Sequence, residues 1–283
     1  MKHPAISDLI VGNAFQLYGQ PKWTFGKNTC NTYEVFVERI RLEEGVDMPA
    51  WPVLELIEKD EALTLQFSRW FLEAAMRSAV QLTEDTDSNV TLSMMLLPLF
   101  ANRDDFVETI LRLLERTGLS PHKLQFELSE AQDLSAEGIA SLNLLHDIHG
   151  VNLMLSNFGT GHSNIDLLRE VHFDSLELTS SLAAYAPQDD QTCRIIMALQ
   201  HFADALDLQV CVNGIDDQDQ FEFFDDLGCY KGQGTLIGRA MPMDELRSYI
   251  SDYAVRRQHK DEPTTATVAD FAFAAVDPAT AQA

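Results

Sequence analysis

Polar side chains follow several apolar segments of this chain, at the points where those segments end. Glu127, Asn157, Glu177 and Asn213 hold such positions. In a closed α/β barrel the C-terminal ends of the strands surround the active site, so these four side chains should lie near one another. Carboxylates placed there can hold a divalent cation, because their negative charge offsets the dehydration of the ion. Ser156 and Asn157 offer a hydroxyl and an amide instead, without that charge.

The elements that would position these residues alternate along the chain. Strand-like segments with β-branched and aromatic residues lie among longer amphipathic segments. The predicted strands are 33–40, 90–97, 123–128, 151–155, 173–178, 208–212 and a segment around 234–237. The predicted helices are 106–114, 139–148 and 192–206, of which the first two are closed by Gly118 and Gly150. Seven or eight such strand–helix units predict a closed α/β barrel.

The charge of the chain restricts its partners. It has 44 acidic and 20 basic residues, which give a net charge of −24. A surface of that sign repels phosphate groups, so we expect neither nucleic-acid binding nor docking on an anionic membrane. Two explanations of the charge stay open, namely solubility and attraction to a basic protein partner.

The chain shows no signal for secretion or membrane insertion. No apolar stretch approaches the roughly 20 residues that span a bilayer, and the start MKHPAISDLIVG contains no apolar core of a signal peptide. His146 and His149 are three residues apart on a predicted helix, but nothing nearby completes a set of three metal ligands. The cysteines form no CxxC pair and indicate reduced thiols in a cytoplasmic protein; they are Cys30, Cys193, Cys211 and Cys229.

The composition changes near residue 258. Residues 258–283 are rich in Ala, Thr and Pro and contain no helical pattern of useful length. Such a segment cannot bury enough apolar surface to offset the entropy lost on ordering. We therefore predict one barrel domain over residues 1–257 and a disordered tail over residues 258–283.

Several short motifs occur in an order and spacing that resembles the EAL domain, the bacterial phosphodiesterase module that hydrolyses cyclic di-GMP. Each motif is weak alone, but together they cover residues 15–250. The resemblance implies a modified TIM barrel, the fold class that the strand and helix pattern also indicates. The motifs are YGQPKW (18–23), EVF (34–36), TGLSP (117–121), FELSE (126–130), FGTG (158–161), NGID (213–216) and GCYKGQG (228–234).

Five positions keep the chemistry that the resemblance assigns to them. Glu34 matches the first Glu of the EAL signature and Glu127 the first Glu of the ExxE motif, and both bind metal in the family. Glu130 matches the second Glu of that motif, which steadies the loop after a pair of aspartates. Gln233 matches a glutamine near the end of the barrel, and Asp216 replaces a family Glu conservatively.

Seven positions depart from the family's pattern, all of them in motifs for metal binding, catalysis or ligand binding. They are Glu38 for an Arg, Met95 for a metal-binding Asn, Ser156 and Asn157 for the metal-binding aspartate pair, Glu177 for the catalytic Lys, Thr179 for the Asp after it, and Asn213 for the Glu that acts as general base.

These departures imply an EAL scaffold that is not an enzyme. Hydrolysis needs metal ions that lower the pKa of a bound water and a base that steers its proton, and several of these groups are missing together. We expect a cofactor-free regulator that acts by protein–protein interaction in bacterial control of motility, biofilm or virulence. Two alternatives stay open, a non-hydrolysing cyclic di-GMP receptor and a weak phosphodiesterase. Glu38 and Glu177 disfavour nucleotide binding, since they place negative charge near its phosphates.

The Gly-rich loop is the candidate interface. In the family this loop couples the active site to dimerisation, and Glu130 would anchor it. Its retention in this chain is explained either by the fold or by contact with a regulatory partner or a second copy. The candidate residues are Phe158, Gly159, Thr160, Gly161, His162, Ser163 and Asn164.

Overall fold

Ten strands form one sheet in the described part of the chain. This computed structural model describes residues 5–42, 46–86, 88–129, 133–159 and 165–258. The strands are β1 (Phe15–Thr24), β2 (Thr29–Arg41), β3 (Asp47–Pro49), β4 (Thr91–Met95), β5 (Leu124–Ser129), β6 (Asn152–Phe158), β7 (Ser175–Leu178), β8 (Gln209–Asn213), β9 (Lys231–Gln233) and β10 (Met241–Pro242).

Helices connect most of the strands. Those in the described residues are α1 (Ile6–Val11), α2 (Trp51–Ile57), α3 (Glu61–Thr86), α4 (Pro98–Ala101), α5 (Phe106–Thr117), α6 (Ala136–Asp147), α7 (Ile165–Glu170), α8 (Ser180–Ala183), α9 (Asp190–Asp204), α10 (Gln218–Asp226) and α11 (Met243–Gln258). None of them combines the length and the apolar character needed to cross a membrane.

Local sequence signals explain how several helices begin and end. Ser135, Asp189 and Asp217 precede α6, α9 and α10, and each side chain accepts a hydrogen bond from the backbone N–H three residues later. Gly118 follows α5 with a φ of 78°, in the left-handed region that favours glycine. The three predicted helices are thus confirmed, with α6 ending at Asp147, three residues before Gly150.

The barrel closes through β1. This strand is antiparallel to β2, with Tyr18 opposite Phe36, and antiparallel to β9, with Trp23 opposite Gly232. From β2 the order continues through β4, β5, β6, β7, β8 and β9, and all these neighbours are parallel. The eight strands β1, β2 and β4 to β9 form a closed barrel, which confirms the predicted modified TIM fold.

The barrel strand β1 has no counterpart among the predicted strands. β1 contains Gly19 and Pro21, two residues that usually interrupt strands, so its sequence resembles a turn. The observed strand keeps its ladder through a long antiparallel pairing with β2, which includes Pro21 opposite Tyr33.

The predicted strand around 234–237 is wrong. β9 ends at Gln233, and the N–H of Ile237 donates to the carbonyl of Gly234 at 3.2 Å, which makes this segment a turn. A Cβ atom at Gly234 would lie 2.0 Å from the backbone oxygen of Ile215. The close approach of the two backbones therefore requires glycine at this position.

The main hydrophobic core lies between the barrel and the helices around it. Phe100, Phe106 and Phe126 are fully buried there, and the rings of Phe100 and Phe106 meet edge to face at 5.6 Å. A smaller core includes Ile10 and Phe67 and packs α1 and α3 against the start of β1. This packing holds the barrel strands in register, so the positions of their inward side chains are fixed.

The C-terminal prediction is only partly covered by the described residues. α11 ends at Gln258, and residues 259–283 lie outside the described part of the chain. The domain boundary between 257 and 258 and the disordered tail stay predictions.

Candidate functional site

A buried lysine lies among three glutamates inside the barrel. Lys22, on β1, is 1% exposed. Its Nζ is 2.7 Å from Oε1 of Glu127, 3.2 Å from Oε1 of Glu177 and 3.8 Å from Oε2 of Glu34. We call these four residues the Lys22 cluster. Within this cluster one ammonium group faces three carboxylates.

Four different strands supply the cluster. Glu34 comes from β2, Glu127 from β5 and Glu177 from β7, and each side chain points inward from its strand toward Lys22 on β1. Ser93, on β4, donates a hydrogen bond from Oγ to Oε1 of Glu127 at 2.6 Å. Closure of the barrel by the antiparallel β1 is therefore what brings the lysine to these acids.

Gln233 connects the cluster to the last strand of the barrel. Its Nε2 donates to Oε2 of Glu34 and to Oε1 of Gln20, each at 2.9 Å. The predicted residual positions Glu34, Glu127 and Gln233 are thus brought together by the structure. Together they form a network of hydrogen bonds and ion pairs around Lys22.

Burial and charge oppose each other in this cluster. Burial disfavours the charged form of Lys22, but attraction to Glu127, Glu177 and Glu34 outweighs it and raises the pKa of Lys22 well above its ordinary value. Burial raises the pKa of Glu177 to about 7, although Lys22 opposes that change. Burial also raises the pKa of Glu34, and repulsion from Glu127 adds to it. The ammonium stays charged at neutral pH, while Glu177 titrates near pH 7.

Replacing Glu177 by glutamine should change how stability depends on pH. Because the folded pKa of Glu177 lies above its ordinary value of 4.5, its contribution is complete below pH 4.5 and is lost as the pH rises to about 7. Glutamine does not ionise. The free energy of unfolding of Glu177→Gln, relative to wild type, should therefore rise by roughly 2 to 3 kcal/mol from acidic to mildly alkaline pH. Urea unfolding at several pH values measures this difference.

Glu55→Gln is the matched control, because Glu55 is exposed on α2. Its stability difference from wild type should stay nearly constant over the same pH range. If Glu177→Gln and Glu55→Gln gave parallel curves, the raised pKa of Glu177 would be refuted.

Ser156 and Asn157, which the resemblance aligns with the family's aspartate pair, lie at a bulge in β6. Ser156 is fully buried, and its Oγ donates to the carbonyl of Leu128 at 3.3 Å. Asn157 has a φ of 57°, a left-handed conformation that Asn adopts more easily than most residues. The pairing register of β6 with β7 shifts between Leu155 and Phe158. The serine hydroxyl is thus engaged with the backbone.

Two further substituted positions lie at strand ends beside retained residues. Met95 is the last residue of β4 and is opposite Glu127 in the parallel register. Asn213 is the last residue of β8 and is opposite Gln233. The structure therefore places both at the C-terminal end of the barrel strands, a position that was predicted from the strand pattern for Asn213.

Three further positions of the predicted site do not belong to the Lys22 cluster. Glu38 is exposed on β2, four residues after Glu34, and Thr179 is buried directly after β7. Asp216 follows β8, and its Oδ1 accepts hydrogen bonds from the N–H of Thr235 at 3.0 Å and from its hydroxyl at 2.7 Å. Asp216 therefore braces the turn after β9.

The candidate interface loop is described only at its start. The ring of Phe158 is buried and stacks on Phe202 with 6.2 Å between centroids, and Gly159 has a left-handed φ of 99°. Phe158 thus packs against α9, and Gly159 adopts a conformation that favours glycine, while the role of the loop as an interface stays a prediction. The other candidates lie outside the described residues; they are Glu130, Thr160, Gly161, His162, Ser163 and Asn164.

Sequence reasoning missed Lys22 and Ser93. Lys22 belongs to the YGQPKW motif, which contributed to the resemblance but received no role of its own. A lysine between Pro21 and Trp23 was a usable signal, since lysines are almost never fully buried unless paired. The acids that pair with it are 12, 105 and 155 residues away in the chain, as the numbering shows.

Comparison with known proteins identifies the family of the chain. The EAL domain family matches residues 4–240. The cyclic di-GMP phosphodiesterase RocR of Pseudomonas aeruginosa is 26% identical over 254 residues, which cover 88% of this chain and 64% of RocR. The chain is also similar to MucR of Pseudomonas aeruginosa, a bifunctional diguanylate cyclase and cyclic di-GMP phosphodiesterase, of which it covers 34%. It thus spans less than two thirds of the length of these relatives.

Solved structures show the same fold. A MucR phosphodiesterase domain in complex with cyclic di-GMP superimposes with a TM-score of 0.74 at 24% identity, over 84% of this chain and 96% of that one. An EAL domain protein from Listeria monocytogenes gives a TM-score of 0.75 at 22% identity, over 90% and 100%. With the family match extending over most of its length, the chain belongs to the EAL domain family.

Proposed function

We propose that this protein is a non-hydrolysing EAL-domain regulator that acts by contact with another protein in bacterial cyclic di-GMP signalling. The observation that carries the proposal is the Lys22 cluster. The family resemblance assigns the carboxylates of Glu34 and Glu127 to metal binding. In this chain both form ion pairs with the buried ammonium of Lys22. The chain thus has the EAL fold, but its Glu34 and Glu127 are paired with an ammonium group in place of a metal ion.

The described donors do not fit the divalent cations that the family's reaction requires. A divalent ion about 4 Å from the Lys22 ammonium would meet a repulsion of roughly 8 kcal/mol at an effective dielectric of 20. Glu127 already accepts from Lys22 and Ser93, and the hydroxyl of Ser156 is directed at a backbone carbonyl. Met95 contributes a thioether, a soft ligand that suits neither Mg²⁺ nor Mn²⁺. No hydrolytic step is therefore assigned to a metal ion in this chain.

The position of the general base supports the same conclusion. Asn213 ends β8, where the resemblance expects a carboxylate that takes a proton from the attacking water. A carboxamide has no basic group in the physiological range and cannot accept that proton. Loss of the base and loss of the metal ligands would each slow hydrolysis, and together they should abolish it.

Non-hydrolytic binding of cyclic di-GMP is the second candidate. It is favoured by the MucR domain, whose solved structure is a complex with cyclic di-GMP. Of the two acidic substitutions that were expected to repel the nucleotide, only Glu38 is exposed; Glu177 is buried and paired with Lys22. The electrostatic argument against binding therefore depends mainly on Glu38.

Calorimetry with cyclic di-GMP and Mg²⁺ decides between the two candidates. We expect a dissociation constant above about 100 μM, against which a verified cyclic di-GMP receptor serves as positive control. Glu38→Arg should tighten binding if the nucleotide reaches that side of the barrel at all. A micromolar constant for the wild type would make the receptor the better assignment.

The partner is proposed from charge and from the candidate loop. A net charge of −24 favours a basic protein as the partner. The candidate loop that begins at Phe158 is the proposed contact region, and a homodimer formed through that loop is the alternative. The four cysteines are free thiols, which supports a reducing, cytoplasmic setting. Affinity capture from the source cell, washed with rising salt, should retain one specific protein at low ionic strength and release it as screening increases. Capture of nothing specific, with cyclic di-GMP co-purifying, would refute the interaction role.

A further inference from the structure

A cluster of histidine and aspartate side chains lies where β6 and β7 begin, at the barrel end opposite to Met95 and Asn213. His146 and Asp147 end α6, and His172 and Asp174 precede β7. We propose that His146, Asp147 and His172 form a surface site for Zn²⁺, with Asp174 as a residue that positions His146. We call these four residues the His–Asp cluster.

The donor atoms are already close to one another. The carboxylate of Asp147 contacts both histidines. Its Oδ1 is 2.8 Å from Nδ1 of His146, and its Oδ2 is 3.0 Å from Nδ1 of His172. One ligand atom from each of the three residues lies within 4.8 Å of the other two. Two imidazoles and one carboxylate are a donor set that Zn²⁺ accepts, with water as the fourth ligand in an open site.

Asp174 holds the ring of His146 from the other side. Its Oδ1 is 3.1 Å from Nε2 of His146. A histidine that binds metal through one ring nitrogen usually donates its other N–H to a carboxylate, which fixes the tautomer and the orientation of the ring. In a neutral His146 that donates to Asp174, the lone pair of Nδ1 is directed at Asp147, where a cation would satisfy both groups.

Backbone hydrogen bonds fix the two segments that carry the ligands. Oδ2 of Asp174 accepts from the N–H of Leu153 at 2.8 Å, so this carboxylate is tied to β6. The N–H of His172 donates to Oδ1 of Asn143, on α6, at 3.0 Å. These hydrogen bonds hold the two segments that carry the ligands, which lowers the cost of assembling the site.

The partial exposure of the cluster leaves room for exchange with solvent. The side chains of His146, Asp147 and His172 are 25%, 45% and 56% exposed. A bound ion would connect the end of α6 to the segment before β7. This role is independent of the Lys22 cluster and of the proposed regulatory function.

Titration of the tag-free protein with ZnCl₂ tests the site. We expect one Zn²⁺ per chain with a micromolar dissociation constant, and at least tenfold weaker binding for His146→Ala and for His172→Ala. Asp174→Asn keeps all three ligands and should weaken binding by about tenfold through loss of positioning. Co²⁺ as a probe should give visible absorption bands in the wild type that both alanine variants lose.

His201→Ala is the matched control. His201, on α9, is exposed and lies 4.0 Å from Asp204, but neither belongs to the His–Asp cluster. This variant should bind Zn²⁺ like the wild type. Equal affinity of wild type and His172→Ala would overturn the site in favour of binding elsewhere, for example at a thiol. No saturable binding below about 100 μM would show that the cluster is only a hydrogen-bond network.

Discussion

Replacing Lys22 by methionine is expected to lower the free energy of unfolding by about 3 to 5 kcal/mol at neutral pH. Methionine has a long unbranched side chain and fills much of the same space, but it leaves Glu127, Glu177 and Glu34 without their shared cation. Removal of one partner of a buried ion pair costs more than the pair contributed, because the remaining charge stays buried and uncompensated. Urea unfolding of the full chain measures the loss.

Two further variants separate this effect from a general loss of packing. Lys27→Met changes an exposed lysine next to the same strand and should alter stability by no more than about 0.5 kcal/mol. Adding Glu177→Gln to Lys22→Met should recover part of the loss, since one of the uncompensated acids is then removed. If Lys22→Met cost no more than Lys27→Met, the ionic role of Lys22 would be disproved. The double variant also supplies a measurement if Lys22→Met alone is too unstable to purify.

The fold could be predicted from the sequence to a large extent, because several barrel strands are short segments rich in apolar residues that lie between amphipathic helices. The segment 151–155, for example, lies within the observed β6 (Asn152–Phe158) except for its first residue. The exceptions follow from local composition. β1 contains Gly19 and Pro21, so only its pairing with β2 and β9 shows that it is a strand. The local sequence of a strand does not indicate its pairing with strands that are distant in the chain.

Several residues of the site could be predicted from the sequence, but their ion pairs with Lys22 could not. The motifs matched Glu34, Glu127 and Gln233 to family positions, and the structure brings these three side chains together. The pairing of Glu177 with Lys22 depends on β1, which closes the barrel antiparallel to β2 and β9, and nothing in the spacing of the two residues indicates it. The His–Asp cluster shows the same limit, since His172 is 26 residues after His146 in the printed sequence.

Hydrolysis of cyclic di-GMP in the presence of Mg²⁺ or Mn²⁺ is expected to be at least about 10⁴-fold slower than for RocR, assayed side by side. The expectation follows from the proposal that Ser156 and Asn157 replace acidic metal ligands and that Asn213 replaces the base, together with the ammonium of Lys22 beside Glu127. Release of the linear dinucleotide, followed by chromatography, measures the rate. Turnover within about tenfold of RocR would establish a phosphodiesterase and end the proposal of an inactive scaffold.

Stepwise restoration shows which loss dominates. Ser156→Asp combined with Asn157→Asp should stay inactive, because Lys22 still neutralises Glu127 and Asn213 still offers no base. Adding Asn213→Glu to that pair restores the base as well, so any activity should appear first in the triple variant. Because groups that act as a unit lose activity non-additively, each single replacement should have almost no effect alone. Activity in the aspartate pair alone would mean that Lys22 does not hinder cation binding, and the charge of the Lys22 cluster would then be a feature of stability only.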